Sequence, residues 1–336
     1  AGPGGWGENR GVRDAVPDVL GPDWVARTIP LPPDEEGEVV ATLVSTAGGP
    51  RHERAVLFVH GWVDYFFHAE HARRWEEHGY DFYALELRKH GRSLRPHQTP
   101  NYVPDLRTYG AEIGAAVRRV RADHPGDGLR VVLLGASTGG LITSLWTHAH
   151  PGAVDALVLN SPWFDHRGPW FERVLLTAVS HALEKIAPRV PLGGIEPHYG
   201  RFLHVATGGE WDFDLAWKPH EGFPARAAWF SSIRRAHRRV QSGLTIQEPV
   251  LVCTSARNGP KDRESAALAD SDCVLDVTHM ARFAPGLGSD VTVAQIEGGV
   301  HDLALSSPAA RAAYEATVFD WLATYAGTRG ERPPAA

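Results

Sequence analysis

Four short apolar runs in the first half of this chain restrict its fold more than any other feature: "AVLFVHG" (55–61), "DFYALEL" (81–87), "LRVVLLG" (129–135) and "VDALVLNSP" (154–162). Each is shorter than an ordinary helix and lacks a polar face, so each reads as a strand buried on both sides. Amphipathic stretches separate them. "HAEHARRWEEHG" is a polar helix stopped by Gly79, and "YGAEIGAAVRRVRADHPG" is a helix presenting Ile113, Val117 and Val120 that ends before Pro125. "GGLITSLWTHAH" is a third helix, and "EVVATLVS" (38–45) alternates like a half-buried strand ahead of the series. Strands alternating with helices demand right-handed crossovers and a mostly parallel sheet covered by helices on both faces.

The rhythm breaks after Ser161. Residues 162–247 hold helical patches ("WFERVLLTAVSHALEKIA", "PARAAWFSSIRRAHRRVQSG") among Pro-, Gly- and Trp-rich segments, with no convincing buried strand. The pattern resumes with "EPVLVCTS", "DVTVAQIEGG" and a last helix, "SPAARAAYEATVFDWLATYA". The expected organisation is therefore an N-terminal extension (1–22), an α/β core in two parts (23–161 and 248–327), a helical insertion between them (162–247) and a disordered tail (328–336). A length of 336 residues with 43% hydrophobic content suffices for one large core carrying such an insertion. The net charge of −6 gives no footprint for nucleic acid or an anionic membrane, and no apolar run is long enough to span a bilayer. Two cysteines, Cys253 and Cys273, cannot build a disulfide framework. With no signal peptide visible in the sequence, the expectation is a reduced, cytoplasmic protein.

"VVLLGASTGG" carries the chemistry. It places Gly135-Ala136-Ser137-Thr138-Gly139 between a buried strand and a helix, the context in which G-x-S-x-G has meaning. So sharp a turn drives its middle residue to positive φ, and the glycines remove Cβ atoms where backbone crowds in. Ser137 would then stand clear of the sheet edge at the positive end of a helix. A serine needs a base, and of 18 histidines His301 is the one delivered by a loop after the last strand, in "IEGGVHDLALSS". His68 and His71 read as a solvated helix face, and His148 and His150 as cations near a helix C-terminus. An acid should lie between the last two strands, where Asp262, Glu264, Asp270, Asp272 and Asp276 are candidates.

These pieces resemble the α/β-hydrolase superfamily, and within it the monoacylglycerol lipase and lysophospholipase branch with a domain of the serine aminopeptidase S33 type. The matching stretches are "VLFVHGWVDYFFHAEHARRWEEHGYDFYALELRKHGRSL", "VVLLGASTGG" and "LVLNSPWF"; "LRKHGRS" resembles D-x-R-G-H-G-x-S, with Glu86 and Lys89 departing from it. The resemblance implies an α/β-hydrolase fold with an inserted helical cap, or lid. It also implies an acid opening an A-D-x-(apolar)-x-D string, which "SDCVLDV" fits, with His301 lying 29 positions beyond Asp272. Asp272 is thus preferred and Asp276 is the runner-up, although "ARNGPKDRESAALAD" separates the strand from this Asp where the family has almost nothing. The oxyanion hole would use the backbone N–H groups of Thr138 and Trp62, with His60 bonded to backbone.

The insertion supplies aromatics for a substrate pocket: Trp163, Trp211 and Trp229, alongside Phe164, Trp170, Phe171, Trp217 and Phe230. Arg234 belongs to a basic patch with Arg235, Arg238 and Arg239, and facing inward it could pair with a substrate carboxylate. The expected activity is hydrolysis of small or medium carboxylic esters through a Ser137–Asp272–His301 triad without metal or cofactor, possible substrates extending to monoalkyl phthalates. Two alternatives are a catalytically silent ligand-binding protein, should the displaced acid fail, and a peptidase; related iminopeptidases place Trp where Thr138 stands. A small-molecule ester is the expected partner, and the oligomeric state is left open.

Overall fold

The computed structural model describes residues 15–325. In chain order its strands are β1 (Val16–Asp18), β2 (Gly21–Asp34), β3 (Gly37–Thr46), β4 (Arg54–Val59), β5 (Asp81–Glu86), β6 (Arg130–Ala136), β7 (Ala156–Asn160), β8 (Pro191–Gly193), β9 (Ala225–Arg226), β10 (Val250–Ser255) and β11 (Val291–Ile296). The α-helices are α1 (Ala69–Glu77), α2 (Tyr109–Asp123), α3 (Thr138–Ala149), α4 (Trp170–Ile186), α5 (Pro197–Leu203), α6 (Ala227–Gln241), α7 (Val277–Phe283) and α8 (Pro308–Tyr325).

Nine strands form one sheet in the order β1-β2-β3-β5-β4-β6-β7-β10-β11. From β5 to β11 neighbouring strands are parallel, whereas β1, β2 and β3 add on antiparallel. The four apolar runs are β4, β5, β6 and β7, and period-2 alternation sends their residues to opposite faces. Leu57, Leu133 and Leu157 join the core under α2, α3 and α6. Phe58, Leu134 and Val158 join the core under α1 and α8, with Trp75 and Tyr314. Each such fully buried side chain contributes about 1.5–3 kcal/mol. The chain leaves β4 towards one edge and β6 towards the other, so their carboxyl ends flank the point where strand order reverses. In an open parallel sheet that is where a ligand crevice forms.

Several details depart from the sequence reading. The sheet begins at Val16–Asp18, inside the stretch expected as an extension, and β2 is a full-length strand that Pro30, Pro32 and Pro33 disguise. His68 and His71 are not on a solvated face: both are nearly inaccessible, stacked on each other beside Phe58, Phe66 and Tyr314. Trp75 Nε1 donates to His71 Nε2. His148 is not a cation either; its Nδ1 accepts the Thr245 N–H, and burial together with Arg239 lowers its pKa. Between β7 and β10 run α4, α5, α6 and the two-stranded β8–β9 ribbon. The expected tail, 328–336, lies outside the described residues. Among those described, no helix is long and apolar enough to cross a membrane.

Candidate active site

The turn from β6 into α3 holds Ser137 at φ +52° and ψ −117°, a strained backbone for any residue with a Cβ. Its neighbours show why that position is enforced. A Cβ on Gly139 would lie 2.3 Å from the Val59 carbonyl oxygen and 2.4 Å from that of His60. One on Gly135 would lie 2.2 Å from Thr143 Oγ1. Helix α3 therefore packs directly against the end of β4, and Ser137 is lifted into the crevice. Its amide donates to Asn160 O and its carbonyl accepts from Trp163 N, so the turn is fixed at both ends. Among the described residues the Ser137 hydroxyl has no hydrogen-bond partner.

The loop after β4 lies beside it. His60 is fully buried; Nδ1 bonds the Gly61 carbonyl at 2.7 Å and Nε2 accepts the Leu87 N–H at 3.1 Å. This imidazole is thus a neutral spacer, and burial lowers its pKa further. Glu86, where the family pattern has Asp, braces the same loop, whereas Lys89, where it has Gly, ties its own turn to the β2–β3 hairpin. Glu86 accepts N–H groups from Phe66 and Arg92, and Lys89, at φ +61°, reaches Asp34 and Glu36 at 2.6 Å each. Burial pushes the Glu86 carboxyl up to about 7 against the pull of Arg92. The Trp62 amide donates to no partner among the described residues, and the Thr138 amide opens α3, where an N–H has no intrahelical acceptor. Both residues line the crevice.

His301, in the loop after β11, presents Nδ1 to Asp272 Oδ2 at 2.9 Å. Asp272 is inaccessible to solvent, and its other oxygen accepts the amides of Val274 and Leu275 at 2.8 Å each. Three such bonds hold the carboxylate in one orientation. Burial by itself would lower the His301 pKa, but Asp272, aided by Asp302, outweighs it and raises the pKa above the usual 6.5. His301 Nε2 has no partner among the described residues. Asp276 does something else: it caps α7 by accepting the Thr278 N–H, and it binds Asn258.

Ser137, His301, Trp62 and Thr138 share the wall of a cavity of about 440 Å³. Of the expected pocket residues, Trp163 and Trp229 line it, and Trp62 stacks on Trp229 with centroids 4.5 Å apart. Trp211 does not; it packs on Phe67 and donates Nε1 to Leu305 O. Trp170 and Phe171 face solvent, exposing 70% and 56% of their surface with Val174, Leu175 and Ile186 along α4. Arg234 is also absent from the wall: its guanidinium is spent on Asp165 and Thr177, and it donates to a His237 that burial keeps neutral. Other polar wall residues had not been singled out in the sequence. Lys218 forms an ion pair with Asp64, Tyr199 accepts the Asp302 N–H and sets its ring edge-on to His301, and Arg167 lies near the acid loop. Only position 64, three residues past the Gly61 turn, had a local signal. Among the described residues no group of three His, Cys, Asp or Glu is placed to hold a metal ion.

A parallel sheet with a strained serine turn, a histidine after the last strand and helices on both faces defines the α/β-hydrolase fold. Residues 50–307 match the family described as serine aminopeptidase, S33 (Hydrolase_4), and the chain belongs to that family. It is 33% identical over 147 residues to a monoacylglycerol lipase of Mycolicibacterium smegmatis, a match spanning 42% of this chain and about half (48%) of that relative. Among solved structures it resembles a soluble variant of monoglyceride lipase from Saccharomyces cerevisiae (TM-score 0.63, 13% identity, covering 95% of this chain and 99% of that one). It also resembles the monoacylglycerol lipase of Paleococcus ferrophilus (TM-score 0.59, 18% identity, 83% and 97%). A carboxyl esterase from Bacillus coagulans aligns with TM-score 0.59 and 12% identity over 89% and 98%. At these identities the structural matches establish the fold.

Proposed function

We propose that this protein hydrolyses carboxylic esters of small or medium size by acyl transfer through serine. Ser137 Oγ attacks the ester carbonyl while His301 Nε2 takes its proton, forming a tetrahedral oxyanion held by the amides of Trp62 and Thr138. The intermediate collapses, the C–O bond breaks, and His301 returns its proton to the departing alcohol. Water, deprotonated by the same imidazole, then attacks the acyl-enzyme and releases the acid and the free serine. Asp272 fixes the tautomer that leaves Nε2 unprotonated and stabilises the imidazolium. The observation carrying this reading is the 2.9 Å contact between His301 Nδ1 and Asp272 Oδ2, in a residue whose other nitrogen has no partner among the described residues and which lines the same cavity as Ser137.

Further support comes from the cavity and the relatives. About 440 Å³ lies in the range of small-molecule sites, and Trp163, Trp229 and Phe230 give it an apolar wall suited to an acyl chain or ring. Family membership and relatives named as lipases and a carboxyl esterase are consistent with an ester substrate. In this reading residues 162–247 act as the cap. The silent-receptor alternative rested on a displaced acid, and the Asp272–His301 contact speaks against it. Monoalkyl phthalates stay within the reading, but Arg234, bound to Asp165, gives them no support.

The test is hydrolysis of p-nitrophenyl acetate and butyrate by wild type, Ser137→Ala and His301→Ala. Turnover by wild type that both substitutions abolish is expected. Turnover that survives them would dismiss the reading.

A further inference from the structure

Cations that face the interior of this protein carry a carboxylate: Arg88 has Glu112, Arg234 has Asp165, and Lys218 in the cavity wall has Asp64. Two cavity-lining cations break that habit. Arg167 donates Nη1 to the Leu275 carbonyl at 3.2 Å and Nη2 to the Gly259 carbonyl at 2.6 Å, and it makes no ion pair among the described residues. Those two carbonyls clamp the guanidinium to the loop bearing Asp272, while a guanidinium has five N–H donors to give. Lys261, on the same loop, is exposed to solvent, lines the cavity and has no ion-pair partner among the described residues.

Other charges in the wall do not neutralise them. Asp64 is committed to Lys218, and Asp302 accepts from Asn160 Nδ2 at 2.7 Å and caps the turn that follows it. Glu196 sits exposed at the rim and pairs with neither cation. His166 lines the same cavity, its ring edge-on to Phe230 and its ring nitrogens unpartnered among the described residues. Burial first, and Lys261 second, lower its pKa to about 4, so at neutral pH it is an uncharged donor and acceptor. A guanidinium and an ammonium without ion-pair partners, with a neutral imidazole on the same cavity wall, form the chemistry that recognises a carboxylate.

The geometry points to an anion subsite formed by Arg167 and Lys261, through which this protein selects esters carrying a second, free carboxylate over their neutral counterparts. The inference rests on the ester-hydrolase reading and names its substrate class. A carboxylate placed there meets two positive charges that no carboxylate among the described residues pairs, whereas a neutral ester draws on neither.

The experiment compares kcat/KM for monobenzyl glutarate with that for benzyl methyl glutarate, following benzyl alcohol release. A second pair, 4-carboxybenzyl and benzyl butyrate, asks whether the carboxylate lies on the acyl or the alcohol side. For one pair we expect an anionic-to-neutral ratio of at least about tenfold, equivalent to about 1.4 kcal/mol. Lys261→Met should lower that ratio and Lys261→Glu should bring it to one or below. A ratio is independent of the folded fraction of each variant, so partial misfolding does not obscure it. Wild type that hydrolyses all four esters with no preference for either anion, or a ratio unmoved by Lys261→Glu, would overturn the subsite and leave the hydrolase reading intact. Calorimetric titration of Ser137→Ala with monobenzyl glutarate separates the two claims. Should wild type hydrolyse nothing, binding weakened severalfold by Lys261→Glu would uphold the subsite while the hydrolase reading fell, and absence of binding would remove both.

Discussion

The turn after β6 and the loop after β10 each position one polar side chain of the site, Ser137 on the cavity wall and Asp272 buried behind His301, and they do it by opposite means. Ser137 is placed by local covalent geometry: a positive φ, glycines that let α3 touch the end of β4, and a helix that begins at the next residue. Asp272 is placed by long-range bonds. Its amide donates to Arg257 O, its carbonyl accepts the Gly259 N–H and Arg167 from beyond β7 clamps both edges of the loop, while two adjacent amides only orient the carboxylate. A strained turn costs of order 1–3 kcal/mol but is specified by a few residues. A loop built on tertiary bonds carries little strain and can lie far from its strand, which is why the acid tolerates the inserted "ARNGPKDRESAALAD".

That contrast orders the expected effects of substitution. The largest is Asp272→Asn, which keeps the fold but presents an N–H to His301; kcat for p-nitrophenyl butyrate should fall about 10⁴-fold. A small loss would mean another carboxylate orients the imidazole. Next is the acid limb of the kcat/KM–pH profile. His301 must be neutral to act as a base, and Asp272, outweighing burial, raises its pKa, so protonation persists to higher pH than for an ordinary histidine. Activity should therefore already be falling as pH drops to 6.5, with a limb midpoint above that value; a midpoint below it would contradict the coupling. Gly139→Ala attacks the other region. Its Cβ meets the backbone carbonyls of Val59, which ends β4, and His60, which follows it, and urea unfolding should show a loss of about 1–3 kcal/mol. The smallest effect belongs to Asp276→Ala, which removes the α7 cap at about 1 kcal/mol in the same measurement with kcat/KM little changed.

The same contrast explains what the sequence disclosed. The parallel strands, the elbow and His301 were readable because each depends on a short window: an apolar run, a Gly-flanked serine, a loop after a final strand. Asp272 could be preferred only with the help of resemblance, and Asp276 stayed in play although D-V-T before a helix is the signature of an N-cap. His68 and His71 misled because "HAEHARRWEEHG" is polar in composition, whereas their burial comes from α8 and the aromatic residues of the β4 loop. Arg234 misled because its partner, Asp165, lies 69 positions away. Such pairings are made by tertiary structure, and no window of sequence displays them. The exposed apolar face of α4 belongs to the same class, since only the packing of the insertion shows which of its aromatics turn inward.

The most direct test of the central claim is labelling with a fluorophosphonate followed by intact-mass and peptide mapping. A single adduct is expected, on Ser137, lost in Ser137→Ala and formed far more slowly in His301→Ala. Equal labelling of wild type and Ser137→Ala, or an adduct mapped to another residue, would contradict that claim.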